Sequence, residues 1–118
     1  MIRRLCRLIA VLALLSLFGT IANADRLRVV TTLPDYASLA KAIGGDRVSV
    51  SYIVKGDQDA HFVRPKPSFA QMVRQADVLI DTGLDLETWL PTVVDTSGNR
   101  KVRSGQPGYV SASHGMRL

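Results

Sequence analysis

RVVTTLPDYASLAKAIGGDRVSVSYIV, residues 28–54, is the stretch that decides the fold of this chain. Arg28-Val-Val-Thr-Thr-Leu33 is rich in β-branched residues and nearly continuously apolar. That composition suits a strand buried on both faces, as in a parallel sheet. Pro34 and Asp35 follow. Tyr36, Leu39, Ala40 and Ile43 then fall at helical spacing, and Gly44-Gly45 is a fitting C-terminal stop. Val48-Ser-Val-Ser-Tyr-Ile-Val54 starts by alternating and ends fully apolar, which predicts a second strand. Strand, helix and strand at this spacing form a right-handed βαβ unit.

Toward the C-terminus the alternation continues. A polar loop, Lys55 to Pro67, carries two prolines and His61. Ser68-Phe-Ala-Gln71 has the form of a capping box, with Ser68 as N-cap, and predicts a helix to about Gln75. Val78-Leu-Ile-Asp81 reads as a short third strand and Gly83 as a turn. Leu86 to Val94 reads as a helix around Trp89, with Pro91 against it. Asp95 to Gly108 is rich in Gly, Ser, Asn and basic residues and reads as a loop. Tyr109 to Ser113 reads as a fourth strand. The predicted fold class is α/β, a parallel sheet with helices on both faces. Ligands bind such sheets outside the carboxyl ends of the strands. Three loops leave the strands there: Pro34-Asp35, Lys55 to Lys66, and Thr82 to Glu87. The second is by far the longest, and long loops in compact domains tend to carry function.

The N-terminus is an address rather than a fold element. Arg3, Arg4 and Arg7 precede an apolar run from Leu8 to Leu17, extended to Ile21, and Ala22-Asn23-Ala24 supplies small residues for a peptidase. These are the three parts of a secretory signal. The run is too short to span a bilayer comfortably. Residues 1–24 are therefore expected to be a signal peptide cleaved after Ala24, with Asp25 first in the mature chain. Cys6, the only cysteine, precedes the apolar run and leaves with it, so it is not a lipid-attachment site. The exported chain then carries no disulfide and depends on its core.

The chain has 118 residues and a net charge of +5. Three of its 15 basic residues lie in the signal, so 12 remain against 10 acids, about +2. The remaining 94 residues suffice for one small domain. No stripe of Lys and Arg interleaved with aromatics points to nucleic acid.

Asp57-Gln-Asp59-Ala-His61 sets an imidazole beside two carboxylates, a fragment of a metal site but no complete signature. On the residues alone, His61 reads as a solvated loop histidine. Asp85 and Glu87 read as acids at a helix N-terminus, where they complement the dipole. Trp89 reads as core packing, His114 as an exposed turn residue, and Lys101 and Arg103 as solvated charges. No Gly-x-Ser-x-Gly, P-loop or G-x-G-x-x-G is present, so hydrolase and nucleotide-binding readings have no anchor.

Taken in order, Thr31-Thr32-Leu33, Ile43-Gly44-Gly45-Asp46, Asp59-Ala60-His61, Pro65-Lys66-Pro67-Ser68, Ala76-Asp77-Val78 and Gly83-Leu84-Asp85-Leu86-Glu87-Thr88-Trp89-Leu90 resemble the N-terminal lobe of the zinc/manganese-binding proteins of bacterial metal ABC transporters. The resemblance covers Leu27 to Leu90. It implies capture of Zn²⁺ or Mn²⁺ between two α/β lobes, in the periplasm, and delivery to an inner-membrane permease, with no enzymatic step. It makes His61 a metal ligand, and Asp59, Pro67, Ser68, Glu87 and Trp89 scaffold positions. Arg64 stands where many relatives carry an acid. The family's second histidine, its carboxylate ligands and the long helix between the lobes have no counterpart here, so residues 25–118 are expected to be an incomplete N-terminal lobe. Zinc takes about four ligands, and this chain offers one. Two rival expectations follow: a truncated fragment without tight metal binding, and a small secreted metal-dependent hydrolase built on Asp57, Asp59 and His61.

Overall fold

The computed structural model describes residues 25–117. The expected signal segment lies outside them. Four strands, β1 (Leu27–Thr31), β2 (Val48–Tyr52), β3 (Val78–Asp81) and β4 (Tyr109–Ser111), form one sheet in the order β2-β1-β3-β4. All three pairings are parallel. Parallel neighbours need a crossover, and each crossover here carries a helix: α1 (Pro34–Gly44), α2 (Pro67–Arg74) and α3 (Leu90–Ser97).

Register and side-chain alternation sort the two faces. Val30 opposes Leu79, and both enter one buried cluster with Val73 of α2 and Val93 and Val94 of α3. On the opposite face α1 packs beside β1 and β2, and a Cβ on Gly44 would collide with Val48. Helices therefore lie on both faces, as the nearly continuous apolar character of Arg28 to Leu33 predicted. Thr31 and Thr32 are fully buried at the carboxyl end of β1. The extended backbone of β2 runs past its last strand residue, since Ile53 N and Val54 N donate to the carbonyls of Thr31 and Thr32.

The α1 face is only half closed. Helical spacing makes Leu39 and Ile43 candidates for burial, yet they are 59% and 87% exposed, and no residue of α1 is buried. Val110 of β4 is also exposed. The period of an apolar pattern identifies a helix; it does not say that something covers the face.

Three local expectations are corrected. The capping box at Ser68 does not form: α2 starts at Pro67, with Lys66 as an extended N-cap and no side-chain cap. Proline at the first helical position needs no N–H partner and presets φ, so the helix begins one residue before the serine. The helix expected from Leu86 starts at Leu90, and Leu84 to Trp89 form turns. Pro91 lies in the first turn of α3, where a missing N–H costs nothing, so it opens the helix instead of breaking it. The loop expected from Asp95 is partly ordered: α3 runs to Ser97 and a 3₁₀ turn spans Arg100–Val102. Val102 is fully buried in the core, which anchors that segment under the sheet.

Candidate metal-capture site

The loop after β2 crosses the carboxyl edge of the sheet and carries His61 in a 3₁₀ turn, Ala60–Phe62. Asp59 is its N-cap. Its Oδ1 accepts from the His61 backbone N–H at 2.9 Å and faces His61 Nδ1 at 3.0 Å. The backbone N–H first, and then the ring, hold the Asp59 carboxyl below the usual carboxylate range. An ionised carboxylate accepting from Nδ1–H selects the tautomer whose Nε2 keeps its lone pair. The imidazole side chain is 59% exposed, and Phe62 stands beside it with ring centroids 6.1 Å apart. Ala60 and Val63, on either side, are buried and pin the turn to the core.

Asp57 and Arg64 are exposed in the same loop, and it is Asp59 that accepts the hydrogen bonds of His61. Among the described residues no group of three or more His, Cys, Asp or Glu is placed to hold a metal ion. The Asp57-Asp59-His61 arrangement needed by a metal-dependent hydrolase is therefore not assembled. His114 is exposed in a turn, its N–H donating to Ser111. Lys101 faces Asp77 at 3.5 Å, and Arg103 faces Asp95 at 3.9 Å.

Glu87 differs from its expected role. It precedes α3 in the turn segment and is 5% exposed. Its Oε1 accepts from Thr32 Oγ1 at 2.6 Å and from Thr82 N at 3.1 Å. It ties the third loop to the end of β1 instead of complementing a helix dipole. Trp89 is core, as expected, and does more: its Nε1–H donates to Ala60 O at 2.7 Å. The turn holding both residues is conformationally costly. Gly83, Leu84 and Asp85 have φ of 78°, 56° and 59°. Glycine adopts such angles freely and aspartate more readily than most residues, whereas for Leu84 the left-handed region costs about 1–2 kcal/mol.

Beside this turn, between β3, β4 and α3, a cavity of about 600 Å³ is lined by Asp81, Glu87, Val94, Arg103 and Tyr109 among others. Asp81 Oδ2 accepts from Tyr109 Oη–H at 2.5 Å. Asp81 Oδ1 and Glu87 Oε2 are buried without partners among the described residues. Burial raises the Asp81 carboxyl, the charge of Glu87 adds to this, and the Tyr109 bond opposes it. Burial, followed by its bond to Asp81, raises the Tyr109 hydroxyl too. Sequence reasoning passed over both residues. The available signal was period two: Asp81 shares its strand face with Leu79, so an acid stands on the core side.

A carboxyl raised in the folded state binds its proton more tightly there than in the unfolded chain. Its contribution is complete below the unfolded value and lost as pH rises through the folded one. Urea unfolding across pH 4 to 8 should show wild type losing stability relative to Asp81→Asn, which keeps an acceptor for Tyr109 but cannot ionise. Parallel stability curves would remove this account of Asp81.

Residues 29–117 match the family described as ZnuA, zinc-uptake complex component A, periplasmic. The chain is 35% identical over 89 residues to the manganese-binding lipoprotein MntA of Halalkalibacterium halodurans, covering 75% of this chain and 30% of that protein. It is 33% identical over 101 residues to the manganese ABC transporter substrate-binding lipoprotein PsaA of Streptococcus pneumoniae, covering 82% and 31%. In architecture it resembles the Zn(II)-bound ZnuA-like domain of Streptococcus pneumoniae AdcA, with a TM-score of 0.64 at 24% identity over 80% of this chain and 33% of that one. The chain thus spans about a third of the length of the relatives it matches.

Proposed function

Because this chain belongs to the ZnuA family of periplasmic zinc-uptake components, we propose that it contributes the N-terminal lobe of the solute-binding component of a metal ABC importer. In this reading residues 1–24 export the chain and are removed after Ala24. Residues 25–118 form a lobe in the periplasm, Zn²⁺ or Mn²⁺ is the cargo, and an inner-membrane permease is the partner that receives it. The protein binds and releases; it transforms nothing. MntA and PsaA carry manganese in their names and the AdcA domain carries zinc, so the relatives support a divalent transition metal without choosing one.

The observation that carries the reading is the Asp59–His61 pair. A metal-bound histidine characteristically donates its other ring N–H to a carboxylate, which fixes the ring and raises its basicity. Asp59 is the acceptor for His61 Nδ1 here, in the long loop at the carboxyl edge of a parallel sheet, where such folds bind ligands. Imidazole with carboxylate ligation suits both candidate ions.

Titration of the full chain with Zn²⁺ and with Mn²⁺ tests this. Asp59→Ala removes the acceptor of both His61 bonds and should weaken binding by about 10- to 100-fold, the usual consequence of losing such a partner. Equal affinity of wild type and variant would remove Asp59 from the site. Absence of metal binding by the wild-type chain would favour the fragment without tight binding.

A further inference from the structure

Before Lys66, whose carbonyl accepts from the first turn of α2, the loop carrying His61 is attached to the rest of the described residues by one hydrogen bond. Within residues 55–65 the other bonds are local: Gln58 N to Lys55 O, Phe62 N to Asp59 O, and the two from His61 to Asp59. The exception is the indole of Trp89, whose N–H reaches Ala60 O at 2.7 Å across 29 residues of sequence. Ala60 directly precedes His61 and opens its 3₁₀ turn. Trp89 is itself held. It is 6% exposed, packs near Phe69, and ends the segment whose Gly83, Leu84 and Asp85 lie in the left-handed region. A left-handed leucine persists only where the surroundings over-determine it. Glu87 supplies that constraint by accepting from Thr32 Oγ1 and Thr82 N. The turn after β3 is thus fastened to β1 at one point and to the His61 loop at another.

We propose that Trp89 is a positioning residue for His61: its indole N–H, delivered by the constrained turn 83–89, presets the 3₁₀ turn from which the imidazole meets the metal. The proposal rests on the metal-capture reading of His61. Its physical content is preorganisation. A loop ordered before binding does not have to be ordered by the ion, so affinity is gained without a further ligand. Trp89 touches no metal. It acts through the carbonyl of Ala60, and Asp59 acts through the ring. Backbone and side chain of His61 are thereby oriented from two independent directions.

The test is Trp89→Phe in the full chain, which keeps an aromatic ring in the core and deletes the donor. Amide exchange at His61 and Phe62 should become about tenfold faster than the change at Leu79, as loss of one buried hydrogen bond implies. Zn²⁺ affinity should fall by a similar factor. A merely structural tryptophan would lower protection at Leu79 and at His61 alike, and that uniform loss would overturn the proposal. So would faster exchange at His61 and Phe62 with unchanged Zn²⁺ affinity. Should the variant not fold, the indole proton of wild-type Trp89 decides. Strong protection against solvent exchange supports the bond to Ala60, and exchange at the rate of a free indole overturns it. Exchange needs no metal, so the two readings separate: Zn²⁺ binding unchanged by His61→Ala would end the capture reading while leaving the loop attachment measured.

Discussion

His61→Ala should lower the affinity of this chain for Zn²⁺ or Mn²⁺ by on the order of 100-fold or more, beyond what the loss of an orienting partner costs. The substitution deletes the ligand itself. Its structural cost should be small, because the side chain is 59% exposed and the alanine keeps the backbone N–H that donates to Asp59. A circular dichroism spectrum and melting midpoint close to wild type should therefore accompany the lost calorimetric signal. His114→Ala is the control, since His114 is exposed in a separate turn and should leave the isotherm unchanged. Wild-type affinity surviving in His61→Ala would end the assignment of this ligand.

The parts of this picture legible in the residues are those where burial and chain direction coincide. Arg28 to Leu33 reads as a two-sided buried strand because both faces are apolar, and β1 lies between β2 and β3 with Val29 and Val30 both buried. The long second loop follows from chain direction alone, since it leaves a parallel strand at the edge where such sheets bind ligands. What was illegible depends on long-range partners. Nothing near Glu87 in sequence announces Thr32, 55 residues away, so a dipole role is the natural local reading. Trp89 reads as core by composition, but the direction of its N–H toward Ala60 is a tertiary fact. Pro91 reads as a break because it stands in an apolar helical pattern, whereas in the first turn it is an initiator. Ile43 shows the converse limit. Its spacing is correct and its helix forms, yet its side chain remains 87% exposed.

Leu79→Ala should produce the largest loss of stability. Leu79 is fully buried in β3, which pairs with β1 on one side and β4 on the other. It belongs to the cluster formed with Val30, Val73, Val93 and Val102. Truncating a leucine in such a site typically costs about 2–5 kcal/mol, from lost burial and the cavity left behind. A domain of this size has roughly 5–15 kcal/mol in total, and each kcal/mol shifts the melting midpoint by about 4–8 °C. The midpoint should therefore fall by roughly 10 °C or more. Val110→Ala, on the strand face of β4 that is 44% exposed, should cost about 1 kcal/mol or less by the same burial argument. Comparable losses at the two positions would mean that the α1 face is covered in solution and that Val110 is not on an open surface. Leu79→Ala should reduce metal binding only in proportion to the chains it unfolds, so cooling or a stabilising osmolyte should restore it. The loss in His61→Ala should persist in chains that are fully folded. A deficit in Leu79→Ala that persists at low temperature would show that the core beneath β3 sets the geometry of the His61 loop directly. The route for that coupling would be Trp89, which belongs to the same buried cluster as Leu79 and holds Ala60.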